Sequence, residues 1–400
     1  MAFTTGTAAD HIDLLDKLCT YLTVTLGTPW TSLAYTAGTK RATAAVVNTA
    51  GTGYNVGDTI TLTGGTFTQA VVLTVLTLVG GPGTGVATVS ITTAGVYTAT
   101  PGNPVAQGSS SGGGSGADFT MAFNYVPTDL ATVNLRAPGN GTGSEVFVNL
   151  DTPSNQGNGY YGWRIYGATG YTASVPHGSQ PGASTPVFFN LSNTTLTYWF
   201  YANSRRVVVV VKSGTSYVSM YAGFILPNAL PSEYPQPNCV VASYPSLTSP
   251  GFNNAMNSSI ADPGEGAAYY YTRSTGTWRA IENQASASSS IWPSTGQRAF
   301  MWPHKTGISQ STSVQTSPDD WGAAGFHLMK TNALGESVLI QCQIVDMVDG
   351  GMVGALEGVF STTGFGRVTE QTLTSGSRTW RLFQRASRNQ PGDFFAVEEV

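Results

Sequence analysis

Four hundred residues carry only 10% charged side chains and a net charge of −4, where an ordinary soluble domain is about 25% charged. With 48 Gly beside 18 Tyr, 17 Phe and 8 Trp, the chain has too much large apolar area for a disordered polymer and too little charge for a typical cytosolic enzyme. No basic run exceeds a pair such as Arg205-Arg206, which argues against a nucleic-acid partner, while weak self-repulsion suits copies packed side by side.

The opening Met1-Ala2-Phe3-Thr4-Thr5-Gly6 has no basic region followed by an apolar core, and no apolar run reaches the roughly 18 residues of a membrane span. Cytoplasmic synthesis without membrane insertion is the expectation. Between Thr7 and Leu26, Ile12, Leu15, Leu18, Cys19 and Leu22 recur at spacings of three and four, which predicts one long helix. Asp10 and Asp13 fall in its first turn, where the helix dipole favours negative charge. Gly27 and Pro29 stop it, and residues 30–35 read as a strand.

From 37 to 126 the composition shifts to Thr, Val, Ala and Gly, and Asp58 and Asp118 are the only acidic groups. This stretch reads as an inserted β module. Residues 46–54 and 89–97 each hold a β run, an Ala-Gly pair and a Tyr, which predicts two half-repeats whose Gly takes positive φ. Residues 59–63 and 71–79 alternate polar and apolar as strands with one buried face. The Gly/Ser tract 108–116 reads either as a flexible linker or as the loop of a long surface hairpin.

Past Leu130 the aromatics return, with strands expected over 146–150, 160–166, 187–191, 196–202 and 206–212. The five consecutive valines Val207 to Val211 mark a strand covered on both faces. A further apolar strand is expected over 338–345.

Signals for chemistry are weak. Gly80-Gly81-Pro82-Gly83-Thr84-Gly85 lacks the Lys-Ser/Thr and the following helix of a phosphate loop. Cys19, Cys239 and Cys342 are far apart and read as buried free thiols, and His11, His177, His304 and His327 lack ligand or triad spacing. No cofactor or metal is expected. Among the carboxylates Asp262, Glu265, Glu282, Asp319, Asp320, Glu336, Asp346 and Asp349, the pair Asp319-Asp320 reads first as a turn or helix start, with glycoside cleavage as the rival. Asp346 and Asp349 lack calcium-loop spacing and read as solvated turn groups. Tyr269, Tyr271, Trp278, Trp292 and Trp302 concentrate aromatic area that either packs in the core, with Tyr270 facing opposite to Tyr269 and Tyr271, or contacts a glycan or partner.

Four stretches stand out: Met1 to Ala8 with Asp13-Leu14-Leu15-Asp16-Lys17-Leu18, the run Tyr198 to Arg206, Pro231-Ser232-Glu233-Tyr234-Pro235, and Gly392-Asp393-Phe394-Phe395-Ala396-Val397-Glu398-Glu399. Through them the chain resembles uncharacterised virion structural proteins of tailed bacteriophages, associated with the tail or fibres. The insertion is similar to a β module of phage proteins through Gly53-Tyr54-Asn55-Val56-Gly57-Asp58 and Ala94-Gly95-Val96-Tyr97-Thr98. The resemblance implies that the module is dispensable for the core fold, and it brings no catalytic residue.

The resulting expectation is a mainly β, β-sandwich-like multi-domain protein. Residues 1–36 form an N-terminal helix and strand joining the main domain, 37–126 the inserted module, and 127–400 a main β-rich domain with a C-terminal docking tail. The function expected is a non-enzymatic homo-oligomeric component of a phage tail, baseplate or fibre, with other virion proteins as partners. A head-decoration protein and a tail-borne glycan-binding or depolymerising protein are the alternatives. The helix and the tail residues Phe394, Phe395 and Val397 are expected to dock onto neighbouring subunits.

Overall fold

The computed structural model describes residues 2–26, 29–126, 130–140, 143–153, 161–243, 260–261, 267–281, 299–302, 338–346, 348–349, 351–362, 367–384 and 394–399. The chain is mainly β, and its contacts divide it into two compact units, Met1–Tyr35 with Thr132–Val400, and Thr36–Ala131.

Among the described residues, three sheets build the larger unit. The first runs in the order Ala2–Ala8, Leu196–Ala202, Arg206–Ser213, Ser216–Phe224, Asn238–Val241, Ala268–Tyr271 and Trp278–Ala280. The second is Val187–Leu191, Tyr161–Ala168, Val146–Asp151, Thr132–Ala137 and Thr31–Thr36. The third holds Ala299–Trp302, Ile340–Asp346, Gly351–Thr362, Phe394–Glu398, Arg378–Gln384 and Thr372–Ser375, with Leu226–Pro227 paired to the side of Gly351–Thr362.

The first sheet is the middle layer, and its valine strand shows why. Val207 to Val211 are all fully buried. Val208 and Val210 share a core with Trp199, Tyr201, Leu356, Phe383 and Phe395, which brings in the third sheet. Strand alternation sends Val207, Val209 and Val211 to the opposite face. There Phe200, paired with Val209, meets the ring of Tyr21 at 5.7 Å between centroids. Asn238 Nδ2 on the same sheet donates to Ala168 O of the second sheet at 3.3 Å. Each fully buried valine contributes about 1.5–3 kcal/mol, so a run buried on both sides fixes the strand as central.

The helix is shorter than the apolar spacing predicts. It spans His11–Thr20, and a π-helical turn takes Tyr21–Thr25. Asp10 is the N-cap, its Oδ1 accepting from the N–H groups of Ile12 and Asp13 at 2.9 Å each. At the other end Thr23 Oγ1 donates back to Cys19 O at 2.8 Å, a local bond that competes with regular helical geometry in a run rich in β-branched residues. Ile12, Leu14, Leu15, Leu18 and Leu22 are buried within their own unit, and Trp163 Nε1 ties the helix to the second sheet through His11 O at 2.7 Å. The apolar face of the helix is therefore covered within its own unit, which leaves only its exposed side, with Thr20 and Val24, open to a neighbour.

The smaller unit is one eight-stranded sheet in the order Thr66–Gln69, Val96–Ala99, Lys40–Thr52, Ser115–Tyr125, Val105–Ser110, Thr59–Leu62, Val72–Leu78 and Val86–Thr93. It curls until the last strand returns to the long one. Ala42 N donates to Ala94 O at 2.8 Å, and Tyr54 N to Thr84 O at 3.1 Å. The interior holds Tyr54, Ile60, Leu73, Val75, Tyr97 and Phe119. Both half-repeat tyrosines are thus core plugs, and the glycines Gly51 and Gly95 take φ of +61° and +70°. The tract 108–116 is no linker: it is a strand end, a turn and a strand start, and the ring of Tyr54 lies where a Cβ on Gly114 would come within 2.3 Å. That close approach is what a glycine-rich turn permits.

Candidate functional site

The aromatic band centres on the antiparallel pair Ala268–Tyr271 and Trp278–Ala280, with Tyr269 opposite Ala280, Tyr270 opposite Arg279 and Tyr271 opposite Trp278. Alternation buries Tyr270 completely and leaves Tyr269 and Tyr271 half-buried on the other face. Trp278 meets Tyr271 edge to face at 5.5 Å, and its Nε1 donates to Gly182 O at 2.7 Å. Its ring covers Gly167, where an added Cβ would approach to 2.4 Å. Trp278 therefore packs within its own unit while staying half-buried, as Tyr269 and Tyr271 do. Trp302 lies in the strand Ala299–Trp302, whereas Trp292, Asp319 and Asp320 lie outside the described residues.

Beneath Tyr270 sits a buried polar cluster that the sequence reading misplaces. Asp346 is fully buried. Its Oδ2 accepts from Tyr270 Oη and the Arg279 guanidinium, and its Oδ1 from the N–H groups of Val348 at 2.7 Å and Asp349 at 3.2 Å. Asp349, also buried, accepts from the N–H groups of Arg273 and Ser274 at 2.9 Å each. Burial pushes the Asp349 carboxyl up, but the hydrogen bonds from Ser274 and Arg273 outweigh it and hold the group below its ordinary value. Burial, then the hydrogen bond to Asp346, pushes the Tyr270 phenol far up. These carboxylates are not the solvated turn groups expected. Every Asp346 oxygen is occupied by a donor, so neither lone-pair pattern is open to a water or substrate proton.

A second cluster joins Asp151, Arg164 and His177. Asp151 and Arg164 face each other across two strands, with Nε to Oδ1 at 2.7 Å and Nη2 to Oδ2 at 2.9 Å. His177, on the short 3₁₀ turn His177–Ser179, brings Nδ1 to 3.6 Å from Asp151 Oδ2, beyond hydrogen-bond distance. The bidentate arginine, not the histidine, organises this carboxylate. The cross-strand register that creates the cluster has no signature in local spacing.

The remaining pairs also turn inward. Glu357 holds Arg205, so the one basic dipeptide of this unit is not a surface patch, and Arg206 is fully buried with Nη1 donating to Tyr201 O at 3.2 Å. Phe394–Glu398 is an interior strand between Gly351–Thr362 and Arg378–Gln384. Phe394, Phe395 and Val397 are buried, and Phe395 packs on Phe383 at 5.5 Å between ring centroids. The docking tail is thereby corrected: these residues complete their own sheet. Arg378 and Arg381 hold Glu398 and Glu399 at 2.6 Å each.

Cys19, Cys239 and Cys342 are buried free thiols. Among the described residues no group of three or more His, Cys, Asp or Glu is placed to hold a metal ion, and no helix is long and apolar enough to cross a membrane. No family model matches the chain, and no curated protein matches it.

Proposed function

We propose that the chain is a non-enzymatic structural component of a bacteriophage virion, part of the tail, baseplate or fibre apparatus, acting through self-assembly and subunit packing. One observation carries the reading: five carboxylates of the larger unit are turned onto arginines of the same unit. Asp151, Asp346, Glu357, Glu398 and Glu399 are each held by an arginine. Exposed charges remain among the described residues, Glu233, Arg273 and Arg378 among them, in a chain of which only 10% of residues are charged. Faces so sparsely charged associate with little desolvation of charge.

Gold-labelled antibody imaging of intact particles of the encoding phage tests this. Label on the tail tip, baseplate or fibres is the expected result. Label over the head moves the protein to capsid decoration within the same class, and absence of the chain from purified particles overturns the proposal. The half-buried Tyr269 and Tyr271 favour a second reading, stacking on a cell-surface glycan. A loss of adsorption to host cells on Tyr269→Ala with Tyr271→Ala, with particle assembly unchanged, supports it.

A further inference from the structure

Ala2–Ala8 forms one edge of the seven-stranded sheet: it pairs with Leu196–Ala202 on one side and, among the described residues, with no strand on the other. Exposed edges present a row of unpaired N–H and C=O groups, and proteins that must stay apart blunt them with charge, proline, bulges or short length. This edge has none of those devices. Its seven residues, Ala2-Phe3-Thr4-Thr5-Gly6-Thr7-Ala8, carry no charge and no proline, and the register to Leu196–Ala202 runs through all seven pairs without a bulge.

The other edges of the larger unit differ. Val187–Leu191 is covered by Ser243, whose Oγ accepts from Asn190 N at 3.1 Å and donates to Phe188 O at 3.4 Å. Trp278–Ala280 has three residues and includes Arg279, and Ala299–Trp302 and Thr372–Ser375 have four each. Thr31–Thr36 ends on the first residue of the inserted unit.

Aromatic rings also fix the edge strand against its neighbour. Phe3 stacks on Tyr201 at 5.0 Å, and the ring of Tyr198 lies over Gly6 so closely that a Cβ there would come to 2.6 Å from its hydroxyl. A strand glycine under an aromatic ring keeps the strand close to its neighbour. Thr5 and Thr7 project exposed side chains.

We infer that Ala2–Ala8 is an assembly edge that pairs antiparallel with the same strand of a second copy. The occupant follows from symmetry and charge. Antiparallel pairing of one strand with its own copy is isologous and closes after two chains. Centred on Thr5, it uses all seven residues, setting Thr5 against Thr5, Thr4 against Gly6, Phe3 against Thr7 and Ala2 against Ala8, and a neutral strand meets its copy without like-charge repulsion. Edge pairing of this length sits at the small end of specific interfaces, below about 1,200 Å², so dimerisation is concentration-dependent. The inference stands on the edge itself and holds whether or not the chain is a virion component.

Sedimentation of the full chain, wild type and Thr5→Lys and Thr5→Glu variants, is the test. The wild type is expected to shift from monomer to dimer with concentration, each variant alone to stay monomeric, and an equimolar mixture of the two variants to dimerise again. Because the mixture dimerises only if both variants fold, it controls for misfolding. Thr5→Cys provides an independent check: mild oxidation is expected to give a disulfide-linked dimer through Cys at position 5. A wild type that stays monomeric at its solubility limit, a Thr5→Lys variant that dimerises like the wild type, or folded variants whose mixture stays monomeric would each overturn the inference.

Discussion

The two units reach β structure by different physics. In the larger one, sheets are set against each other by directed polar contacts under an aromatic core, such as Asp346 with Arg279 and Glu357 with Arg205. In the unit Thr36–Ala131 a single sheet closes on itself, and every ion pair found among the described residues lies in the other unit. Its specificity comes from glycines at positive φ, two buried tyrosines and cross-strand hydroxyl pairs such as Thr77 with Thr88 at 2.6 Å. A larger core tolerates buried charge because each group finds a partner. A small curled sheet achieves register through backbone conformation, which costs no desolvation.

The contrast is most sharply broken at Asp346. Asp346→Ala leaves Arg279 and the buried Tyr270 hydroxyl without their acceptor, and removing one partner of a buried pair costs about 3–5 kcal/mol. Calorimetry is expected to show the transition of the larger unit falling while that of the smaller unit stays in place. Equal displacement of both transitions contradicts the separation.

Acid sharpens the same contrast. His11 is fully buried, neither ring nitrogen has a hydrogen-bond partner, and burial lowers its pKa from 6.5 to about 4. The unfolded chain binds this proton below pH 6.5 and the folded chain only near pH 4, so stability is lost as pH falls through that window, by about 3 kcal/mol in total. His11→Leu is expected to flatten the urea-midpoint profile of the larger unit between those limits. A profile unchanged by the substitution rules out His11 as the source.

In the smaller unit the corresponding weak point is conformational. Gly51→Ala forces a side chain onto φ +61° with its Cβ 2.4 Å from Ser115 O, which costs at least about 1–3 kcal/mol. Only the smaller unit's transition is expected to move. The least effect belongs to the partly exposed pair Lys212 and Glu370, 3.0 Å apart, where Lys212→Met is expected to change stability by no more than about 1 kcal/mol.

What the sequence made legible follows the range of the interactions. The helix face through Ile12, Leu15, Leu18 and Leu22 is read from i, i+3, i+4 spacing, and these residues are buried. The valine run announces a central strand, and Val187–Leu191 and Leu196–Ala202 fall on their expected bounds because apolar runs end at turn residues. Ala2–Ala8 stayed hidden, since its small residues and Gly6 form a strand only against Leu196–Ala202, far along the chain. The burial of Asp346 and Asp349 has no local signal for the same reason: Tyr270, Arg273 and Arg279 arrive from another sheet. Phe394, Phe395 and Val397 were legible as apolar, but local sequence does not say whether an apolar tail covers its own sheet or a neighbour's.

Scanning calorimetry of the whole chain at pH 7 and pH 4.5 tests the division of labour most directly. Two transitions at pH 7, of which only the larger unit's drops at pH 4.5, is the predicted result. A single transition, or an acid shift shared equally by both, would contradict it.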